Sequence, residues 1–448
     1  MKKPHDMGTY DVVVFGSGPA GTVAAIAAAK QGAKTIIIEQ YGFLGGLATT
    51  GLPLLSFHTV SKKLVCRGLA YQLVDEMTAD GCSCGNIFPA GDAHVGSMTP
   101  IYPEEYKYFL DKQMEKYGVK VLLHAKLVDA EVENGRIVRA LLALKEGLAL
   151  ISGKCFVDAT GDADLIAAAG GRFEYGRESD GKCQSMTTLF NVAGVDLDTV
   201  KQYFPEEIYY GVRPGDSKES LFHVKGGLGR WREAAGKDYP FTDDDHGLWG
   251  MVLRDGQLNL NITDIINCEA ITSEGLTAAE QEGRRQIWKI LYFLKKYVPG
   301  FENAFVNFAQ IQVGVRETRR IVGLKKLSVE DVLTCRHTED VVARVGYSID
   351  MHDPEGQGIR FGMQEDKDGS YDIPYGCLVP KDLDGVIVAG RCISAEHEAL
   401  ASCRVMVFCM GMGEAAGYAA AVSAQSGVPL REIELTSIQR LLRQTGAI

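Results

Sequence analysis

The chain has 448 residues, of which 46% are hydrophobic and 23% charged, so it is long enough for two or three globular domains. Its formal net charge is −11 and its basic residues are scattered, which argues against nucleic acid as a partner. The eleven cysteines are irregularly spaced and several lie in apolar runs. This usage favours thiols in a reducing cytoplasm over a disulfide framework.

An uncharged stretch at residues 12–29, preceded by Lys2 and Lys3, superficially resembles a signal peptide or a membrane span. Glycines and a proline interrupt it, so a strand, a tight turn and a helix are the better interpretation. We therefore expect no targeting signal, no transmembrane helix and no membrane partner.

Hydrophobic periodicity and turn residues predict alternating elements in the first third of the chain. Helices are predicted at residues 20–31, 65–80 and 103–117, with an irregular loop at residues 82–99. Strands are predicted at residues 11–15, 35–39, 120–124, 126–133, 137–144 and 154–158. The turn Asn134-Gly135 predicts a hairpin between the fourth and fifth of these strands.

After residue 172 the pattern loosens, and the clearest helix is predicted at residues 278–297. A strand at residues 385–389, a loop at 390–402 and an apolar helix at 413–426 then resume the earlier alternation. The expected fold class is α/β, with a discontinuous core domain and an inserted α+β substrate domain. Their expected bounds are 8–171 with 372–430 for the core domain, 172–371 for the insertion and 431–448 for a C-terminal helix.

A glycine-rich turn, Gly16-Ser17-Gly18-Pro19-Ala20-Gly21, joins the first predicted strand to the first predicted helix. Gly16 permits the turn, Gly18 lets a pyrophosphate approach the backbone, and Gly21 lets the helix pack against the strand. The helix N-terminus offers free N–H groups to the phosphates, and Glu39 at the end of the next strand can accept from a ribose hydroxyl. The motif predicts a dinucleotide site and does not separate NAD from FAD.

Further stretches of the sequence do distinguish FAD from NAD as the ligand. They are LGGLATTG at residues 44–51, VDATGD at 157–162, GVIVAGR at 385–391, GEAAG at 413–417, YPEEYK at 102–107 and GVRETRRIVG at 314–323. With His397 and Arg404, these resemble the glutathione-reductase-type FAD fold. More narrowly, they resemble the FAD-dependent oxidoreductase family that is distantly similar to fumarate reductase flavoproteins and thiazole-biosynthesis proteins. The resemblance extends from residue 10 to about residue 427.

The resemblance implies a Rossmann-type domain that binds FAD without a covalent bond. The implied contacts are Gly45 and Gly46 at the pyrophosphate or flavin edge, Lys126 and Leu127 beside the adenine, Thr160, Gly161 and Asp162 along the ribityl and phosphate path, Gly390 and Arg391 at the pyrophosphate, and the helix N-terminus near Gly411 and Gly413 at the flavin. Ordinary turns for the glycines, and an exposed strand edge for Lys126, are the alternatives.

Three residues are predicted to act beside the flavin: His397, Arg404 and Arg316. An arginine can clamp a carboxylate or stabilise an oxyanion, and a histidine can move the proton that accompanies hydride transfer. The alternative for His397 is a hydrogen-bonded scaffold role. For Arg319 and Arg320 the alternative to substrate contact is a salt bridge with Glu317 or Glu330.

Two other clusters of possible metal ligands do not have the pattern of a metal site. Cys82 and Cys84 lack the CxxC spacing of thioredoxin-like motifs and have no second pair to complete a four-ligand set. The run from Asp243 to His246 is typical of a solvated turn.

The sequence thus predicts an FAD-dependent oxidoreductase that passes a hydride between flavin N5 and a small polar or anionic molecule. The reaction is either dehydrogenation beside a heteroatom or carbonyl, or reduction of an activated double bond. No second glycine fingerprint follows the first, so we expect reductant through the substrate site or from a separate electron donor or acceptor. The alternatives are a structural FAD in a binding or RNA-modifying assembly, and a carbohydrate-active redox enzyme.

Overall fold

The computed structural model describes residues 3–89, 95–356, 359–362 and 369–448, with the backbone alone at residues 359–362. Residues 90–94 of the predicted loop at 82–99, and residues 357–358 and 363–368 of the predicted inserted domain, lie outside the described residues.

The helices carry labels in chain order. They are α1 (Pro19–Lys30), α2 (Gly68–Asp80), α3 (Pro103–Tyr117), α4 (Asp164–Ala168), α5 (Leu197–Tyr203), α6 (Arg232–Ala235), α7 (Ser273–Tyr297), α8 (Val329–Leu333), α9 (His397–Cys403), α10 (Met406–Ser426) and α11 (Leu435–Thr445). Short 3₁₀ helices lie at Gly46–Thr50, Gly229–Trp231, Gly236–Asp238, Tyr375–Cys377 and Leu430–Glu432.

The strands are labelled in the same way. They are β1 (His5–Phe15), β2 (Thr35–Ile38), β3 (Leu54–Leu55), β4 (Met98–Thr99), β5 (Lys120–Leu122), β6 (Lys126–Glu133), β7 (Arg136–Leu144), β8 (Gly147–Asp158), β9 (Phe173–Tyr175), β10 (Phe190–Ala193), β11 (Glu207–Val212), β12 (Glu219–Gly227), β13 (Gly247–Met251), β14 (Gln257–Leu260), β15 (Phe305–Ala309), β16 (Arg319–Ile321), β17 (Val341–Val345), β18 (Ile349–His352), β19 (Ile359–Gly362), β20 (Tyr371–Pro374) and β21 (Val386–Val388).

The first sheet places β5, β2, β1, β8 and β21 side by side in parallel. The N-terminal half of β8 also pairs antiparallel with β7, which continues to β6 through the predicted hairpin. Both turn residues of that hairpin, Asn134 and Gly135, have positive φ, as a two-residue turn of this kind requires. Because β1, β8 and β21 run in one direction, their carboxyl ends meet at one edge of the sheet.

The second sheet is antiparallel, in the order β11-β12-β13-β14-β10-β15. Helix α7 covers one of its faces, and Ile287, Leu291 and Leu294 of the helix join the strand residues Phe190 and Leu258 in a separate core. The predicted mixture of a parallel α/β layer and an α+β part is confirmed.

Helix α10 packs against α1 at very short range because both helices carry small residues at the contact. A Cβ atom at Gly413 would lie 2.2 Å from the backbone oxygen of Ala20, and one at Gly417 would lie 2.2 Å from that of Ala24. Within the described residues, α10 is also the helix that is long and apolar enough to cross a membrane, yet 94% of that stretch is buried inside the protein. It is therefore the core helix of this layer.

Several predicted elements differ from the structure, among them β1, which begins at His5, and α7, which begins at Ser273. The loop predicted at residues 390–402 is wrong in part, because α9 begins at His397. Helix α10 begins at Met406 rather than at residue 413, since Val405 occupies the N-cap without a side-chain hydrogen bond and leaves no sequence signal. Strand β8 begins at Gly147, seven residues before the predicted start, where it pairs with β7.

A buried carboxylate ties α10 to two neighbouring helices. Glu414 Oε2 accepts from the Leu69 N–H in the first turn of α2 (2.8 Å), and its Oε1 accepts from the Thr445 hydroxyl of α11. Burial raises the pKa of Glu414 to about 7, even though the Thr445 and Leu69 hydrogen bonds act to lower it. The protonated acid is thus the favoured form of the folded protein in weakly acidic solution.

We predict that Glu414→Gln abolishes a pH dependence of stability. Between the ordinary pKa near 4.5 and the folded value of about 7, the folded state binds a proton that the unfolded chain releases. This stabilisation is complete below pH 4.5 and is lost as the pH rises through 7, by up to roughly 3 kcal/mol. Glutamine keeps an acceptor for the Leu69 N–H, so the variant should gain stability relative to wild type between pH 5 and pH 8 in urea unfolding. The exposed Glu398→Gln is the matched control, and an equal pH profile for wild type and Glu414→Gln would contradict the assignment.

Candidate functional site

A cavity of about 740 Å³ opens at the carboxyl edge of the parallel sheet and continues to the second sheet. Phe15, Ala159 and Ala389, which end or follow β1, β8 and β21, form its floor. Lys225 and Trp249, on strands β12 and β13, form part of its opposite wall. One cavity therefore joins the two layers of the fold.

The three glycines of the first turn have different physical reasons to be glycine. Gly16 has φ +86°, and a Cβ atom there would lie 2.5 Å from the oxygen of Ala159. A Cβ atom at Gly21 would lie 1.9 Å from the oxygen of Gly16, so both positions are required by chain packing. At Gly18 the φ is −64° and no atom lies within 4 Å of an added Cβ. Packing does not explain this glycine, whereas a ligand that approaches the N-terminus of α1 does.

Glu39 lies beneath one end of the cavity and organises the turn. Its Oε2 accepts from the N–H and the hydroxyl of Ser17 (2.9 and 2.7 Å), and its Oε1 accepts from the Tyr41 N–H (3.0 Å). Lys126 and Leu127, at the start of β6, line the same end. The residues predicted to meet the adenosine half of a dinucleotide are thus adjacent.

The loop after β8 is held from below by a buried carboxylate. Asp158 accepts from the N–H and hydroxyl of Thr160 (3.1 and 2.7 Å) and from the Leu165 and Ile166 N–H groups of α4 (2.9 and 3.1 Å). Burial raises the pKa of Asp158 to about 6, against the lowering effect of the Thr160 hydrogen bond. The carboxylate thereby fixes Thr160 at the cavity wall.

Arg391 and Asp162 form an ion pair of 2.8 Å where the β8 and β21 loops meet. The Arg391 guanidinium also donates to the Thr318 hydroxyl (3.0 Å), which in turn donates to Asp162 (2.6 Å). Gly161 lies directly beneath the guanidinium, because a Cβ atom there would be 2.9 Å from it. Gly390, with φ +94°, lets the chain turn at this point.

Most residues predicted to hold the cofactor line this cavity. They are Gly16, Gly18, Pro19, Ala20, Glu39, Gly46, Lys126, Leu127, Thr160, Gly161, Asp162, Gly390 and Arg391. Gly21 and Gly45 support the wall from behind. Gly45 has φ +105°, and its N–H donates to the Ser17 oxygen (2.8 Å).

The prediction for Gly411 and Gly413 is wrong, because neither residue lies at a helix N-terminus or on the cavity wall. Both are in the second turn of α10 or beyond, where Gly413 contacts Ala20 and Gly411 faces Cys66 and Ala343. The N-terminus of α10 does reach the cavity, but through Val405 and Met406.

His397 does not line the cavity, which corrects the expectation that it acts beside the flavin. Its Nδ1 is 2.7 Å from the buried carboxylate of Glu317, which also pairs with Arg320. The same carboxylate accepts from the Gln184 N–H (3.0 Å). His397 is therefore part of a buried scaffold, and the salt bridge considered for Arg320 is its actual role; Arg319 instead pairs with Asp164 (2.9 Å).

Arg316 and Arg404 both line the cavity. Arg316 donates to the Ser185 carbonyl (2.7 Å) and Arg404 to the Asp350 carbonyl (3.0 Å). Among the described residues neither guanidinium forms an ion pair, and Arg404 Nε is buried without a hydrogen-bond partner. Burial and the charge of Arg404 lower the pKa of Arg316 to about 10, so it remains a cation at neutral pH.

Several wall residues were missed by the sequence analysis. Tyr347, Asp350 and His352 come from β18 and the turn before it and line the cavity near the two arginines. His246, in the run set aside as a turn, also lines it, with Nδ1 2.8 Å from Asp243 and Nε2 3.0 Å from the Ile262 oxygen. The described residues contain no group of three potential ligands that could hold a metal ion. No local motif marks His352, since it depends on chain segments that meet only in the fold.

Comparison with known proteins agrees with this geometry. A family model described as FAD dependent oxidoreductase matches residues 11–442. The fumarate reductase (cytochrome) of Shewanella frigidimarina is 32% identical over a 162-residue alignment that covers 27% of this chain and 28% of that protein. The tRNA uridine 5-carboxymethylaminomethyl modification enzyme MnmG of Streptococcus pyogenes is 24% identical over 239 residues, 48% of this chain and 35% of that protein. The chain thus spans about a third or less of these curated relatives.

Among solved structures, p-nitrophenol 4-monooxygenase PnpA from Pseudomonas putida DLL-E4 superposes with a TM-score of 0.51 at 12% identity. The superposition covers 94% of this chain and 82% of that one. At this identity the likeness concerns the fold alone.

We predict that Gly18→Val leaves the protein folded but without bound flavin. The added branches enter the open space beside the N-terminus of α1, and no protein atom lies close enough to the Cβ to disturb folding. Absorbance near 450 nm per protein and the melting temperature of the apoprotein check the two halves of the prediction. Gly413→Val is the contrasting variant, since its Cβ would collide with the backbone of Ala20 and should lower the apoprotein melting temperature. Full flavin occupancy in Gly18→Val would show that the turn does not contact the cofactor.

Proposed function

Because the chain belongs to the FAD dependent oxidoreductase family, we propose that it transfers a hydride between FAD and a small anionic substrate that share this cavity. FAD is the cofactor, and when bound it supplies the two-electron chemistry. The protein supplies the position and the charge of the groups around the reacting atoms.

The cavity fits FAD on features of the protein itself. Gly18 leaves space that packing does not require, and the N-termini of α1 and α10 both reach the wall. Gly16, Gly46 and Gly390 would lie against the phosphates, with Glu39 and Lys126 toward the adenosine end. Arg391, already paired with Asp162, would offer its remaining donors to the pyrophosphate.

The observation that carries the proposal is the pair of cavity-lining arginines without carboxylate partners. Arg316 and Arg404 are held by backbone carbonyls and form no ion pair with described residues, and the carboxylates of Asp264 and Asp350 act on the charge of Arg316 only from a longer distance. A buried guanidinium without a counter-ion is costly, and a bound anion removes that cost. A substrate carboxylate is a small metabolite group that matches the planar donors of arginine.

This arrangement supports two kinds of two-electron reaction. The substrate is either dehydrogenated at a carbon beside a heteroatom or carbonyl, or reduced at an activated double bond. In both cases the arginines would hold the carboxylate and exclude water from the reacting carbon.

The proposal extends to partners and location. A small molecule is the substrate, a separate electron donor or acceptor completes the cycle, and nucleic acid and membrane are not partners. The net charge of −11 supports the exclusion of nucleic acid, although one relative is a tRNA modification enzyme. The absence of disulfides between cysteines of the described residues supports the cytoplasm.

We predict that the protein purifies with non-covalent FAD and that small carboxylates, but not their methyl esters, alter its flavin spectrum or bleach it anaerobically. Arg316→Gln and Arg404→Gln should retain FAD and weaken carboxylate binding about 10- to 100-fold, the usual loss for a hydrogen bond to a charged group. The exposed Arg285→Gln is the matched control, since its partner Glu282 does not line the cavity. Equal affinity of the wild type for acids and esters would contradict an anionic substrate.

A further inference from the structure

We propose that His352 accepts the substrate proton in this reaction, and that the substrate is a small 2-hydroxy carboxylate whose carboxylate lies on Arg316 and Arg404. The inference rests on the proposed function and selects dehydrogenation from its two possible reactions. His352 takes the role predicted for His397, which the fold places in a buried scaffold outside the cavity.

His352 is positioned to meet a molecule in the cavity. It is the last residue of β18 and lines the cavity together with both arginines. Its Nε2 is 3.6 Å from Asp350 Oδ1, a distance that gives electrostatic support without a hydrogen bond. Asp350 is itself approached by the Tyr347 hydroxyl at 3.4 Å. A base with a carboxylate behind it is the arrangement that stabilises an imidazolium once it forms.

The imidazole ring of His352 is available to a substrate. Two histidines of the described chain line the cavity, and they differ in what their nitrogens contact. Both nitrogens of His246 are used, one by Asp243 and one by the Ile262 carbonyl. Described residues form no hydrogen bond to either nitrogen of His352, so this ring can meet a substrate.

The charge around His352 determines its protonation state. Burial and the positive charges of Arg316 and Arg404 lower the pKa of His352 well below 6.5, and His246 acts in the same direction. Asp350, on the same strand, is the described carboxylate that faces it. The ring is therefore neutral at neutral pH and is suited to accept a proton rather than to donate one.

A neutral ring on the cavity wall, to which the described residues form no hydrogen bond, favours dehydrogenation over reduction. Reduction of a double bond needs a proton donor beside the substrate, and a neutral imidazole near two cations is a poor donor. Dehydrogenation of an alcohol needs an acceptor for the hydroxyl proton. A hydroxyl on the carbon next to the carboxylate would stand beside the arginine pair, where His352 also lies.

The step balances in atoms and charge. The substrate carries one hydrogen on C2 and one on its hydroxyl oxygen. The hydroxyl proton would pass to His352, the C2–H bond would break with its electron pair leaving as the hydride that FAD accepts when bound, and the C2–O bond would become a carbonyl. The product is a 2-oxo carboxylate, and the imidazolium returns its proton to solvent.

Binding of the substrate should increase the proton affinity of His352. A carboxylate on Arg316 and Arg404 compensates the charges that lower the pKa of His352. Its pKa should therefore rise when an anion binds. This coupling would make the histidine an effective base in the occupied site.

Histidine NMR of the holoenzyme, titrated with and without malonate as an unreactive carboxylate, tests the coupling without turnover. We expect one histidine signal, absent from His352→Gln, whose pKa rises by one unit or more with malonate. The rise should disappear in Arg316→Gln. A His352 signal whose pKa does not respond to bound malonate overturns the coupling.

Anaerobic flavin bleaching tests the chemistry, with glycolate, D-lactate, L-lactate and tartronate as probes. We expect at least one probe to reduce the wild type, and His352→Gln to slow that reduction by 10²-fold or more with malonate affinity unchanged. Asp350→Asn should slow it less, and the exposed His5→Gln should have no effect. A wild-type rate in His352→Gln, or no bleaching by any probe, overturns the inference.

The two proposals fail in different ways. If malonate does not bind the wild-type holoenzyme, the anion site of the proposed function is wrong. If malonate binds in an arginine-dependent manner while bleaching is absent or independent of His352, the anion site stands and only this inference fails.

Discussion

The close contact between α1 and α10 is the constraint on which the site depends. Gly413 and Gly417 bring α10 onto the backbone of Ala20 and Ala24 at a distance that any side chain would prevent. The contact joins segments almost 400 residues apart in sequence and aligns two helix N-termini at one edge of the parallel sheet. The segment at residues 390–405, which includes α9, is thereby placed over the glycine turn, and the cavity has a continuous floor.

Buried carboxylates then fix the loops that this contact brings together. Asp158 holds the loop after β8, Glu317 holds the segment at Gln184, and Glu414 holds the start of α2. Asp158 accepts from backbone N–H groups of its own loop and of the helix α4 that follows, whereas Glu317 and Glu414 accept from distant segments. In each case the burial of the carboxylate is compensated by hydrogen bonds. The structure around the cavity therefore contains buried carboxylates whose hydrogen bonds are formed. The arginines on the cavity wall, by contrast, have no carboxylate partner in the described chain.

Features that depend on one short segment were predicted from the sequence, and features that depend on contacts between distant segments were missed. The turn at residues 16–21 and Glu39 were placed correctly because their geometry follows from a single strand-helix-strand unit. The start of α10 was misplaced because Met406 continues an apolar run without a capping residue. His397 was misassigned because the carboxylate that binds it, Glu317, is 80 residues away. His352 could not be found, since only the fold brings β18 beside Arg316 and Arg404.

The two ends of the cavity therefore carry different kinds of information. The nucleotide end is built from the glycine turn and the β8 and β21 loops, whose glycines and buried carboxylates have a geometric explanation. The substrate end is built from the second sheet and β18, where similarity of fold says nothing about the ligand. Charge is what can be inferred there, because a low-dielectric wall makes each unpaired cation energetically important. Two cations that require an anion also depress the proton affinity of a nearby imidazole, so binding and proton transfer are coupled by electrostatics rather than by contact. The chemistry of the substrate end thus follows from which charges the fold leaves without partners.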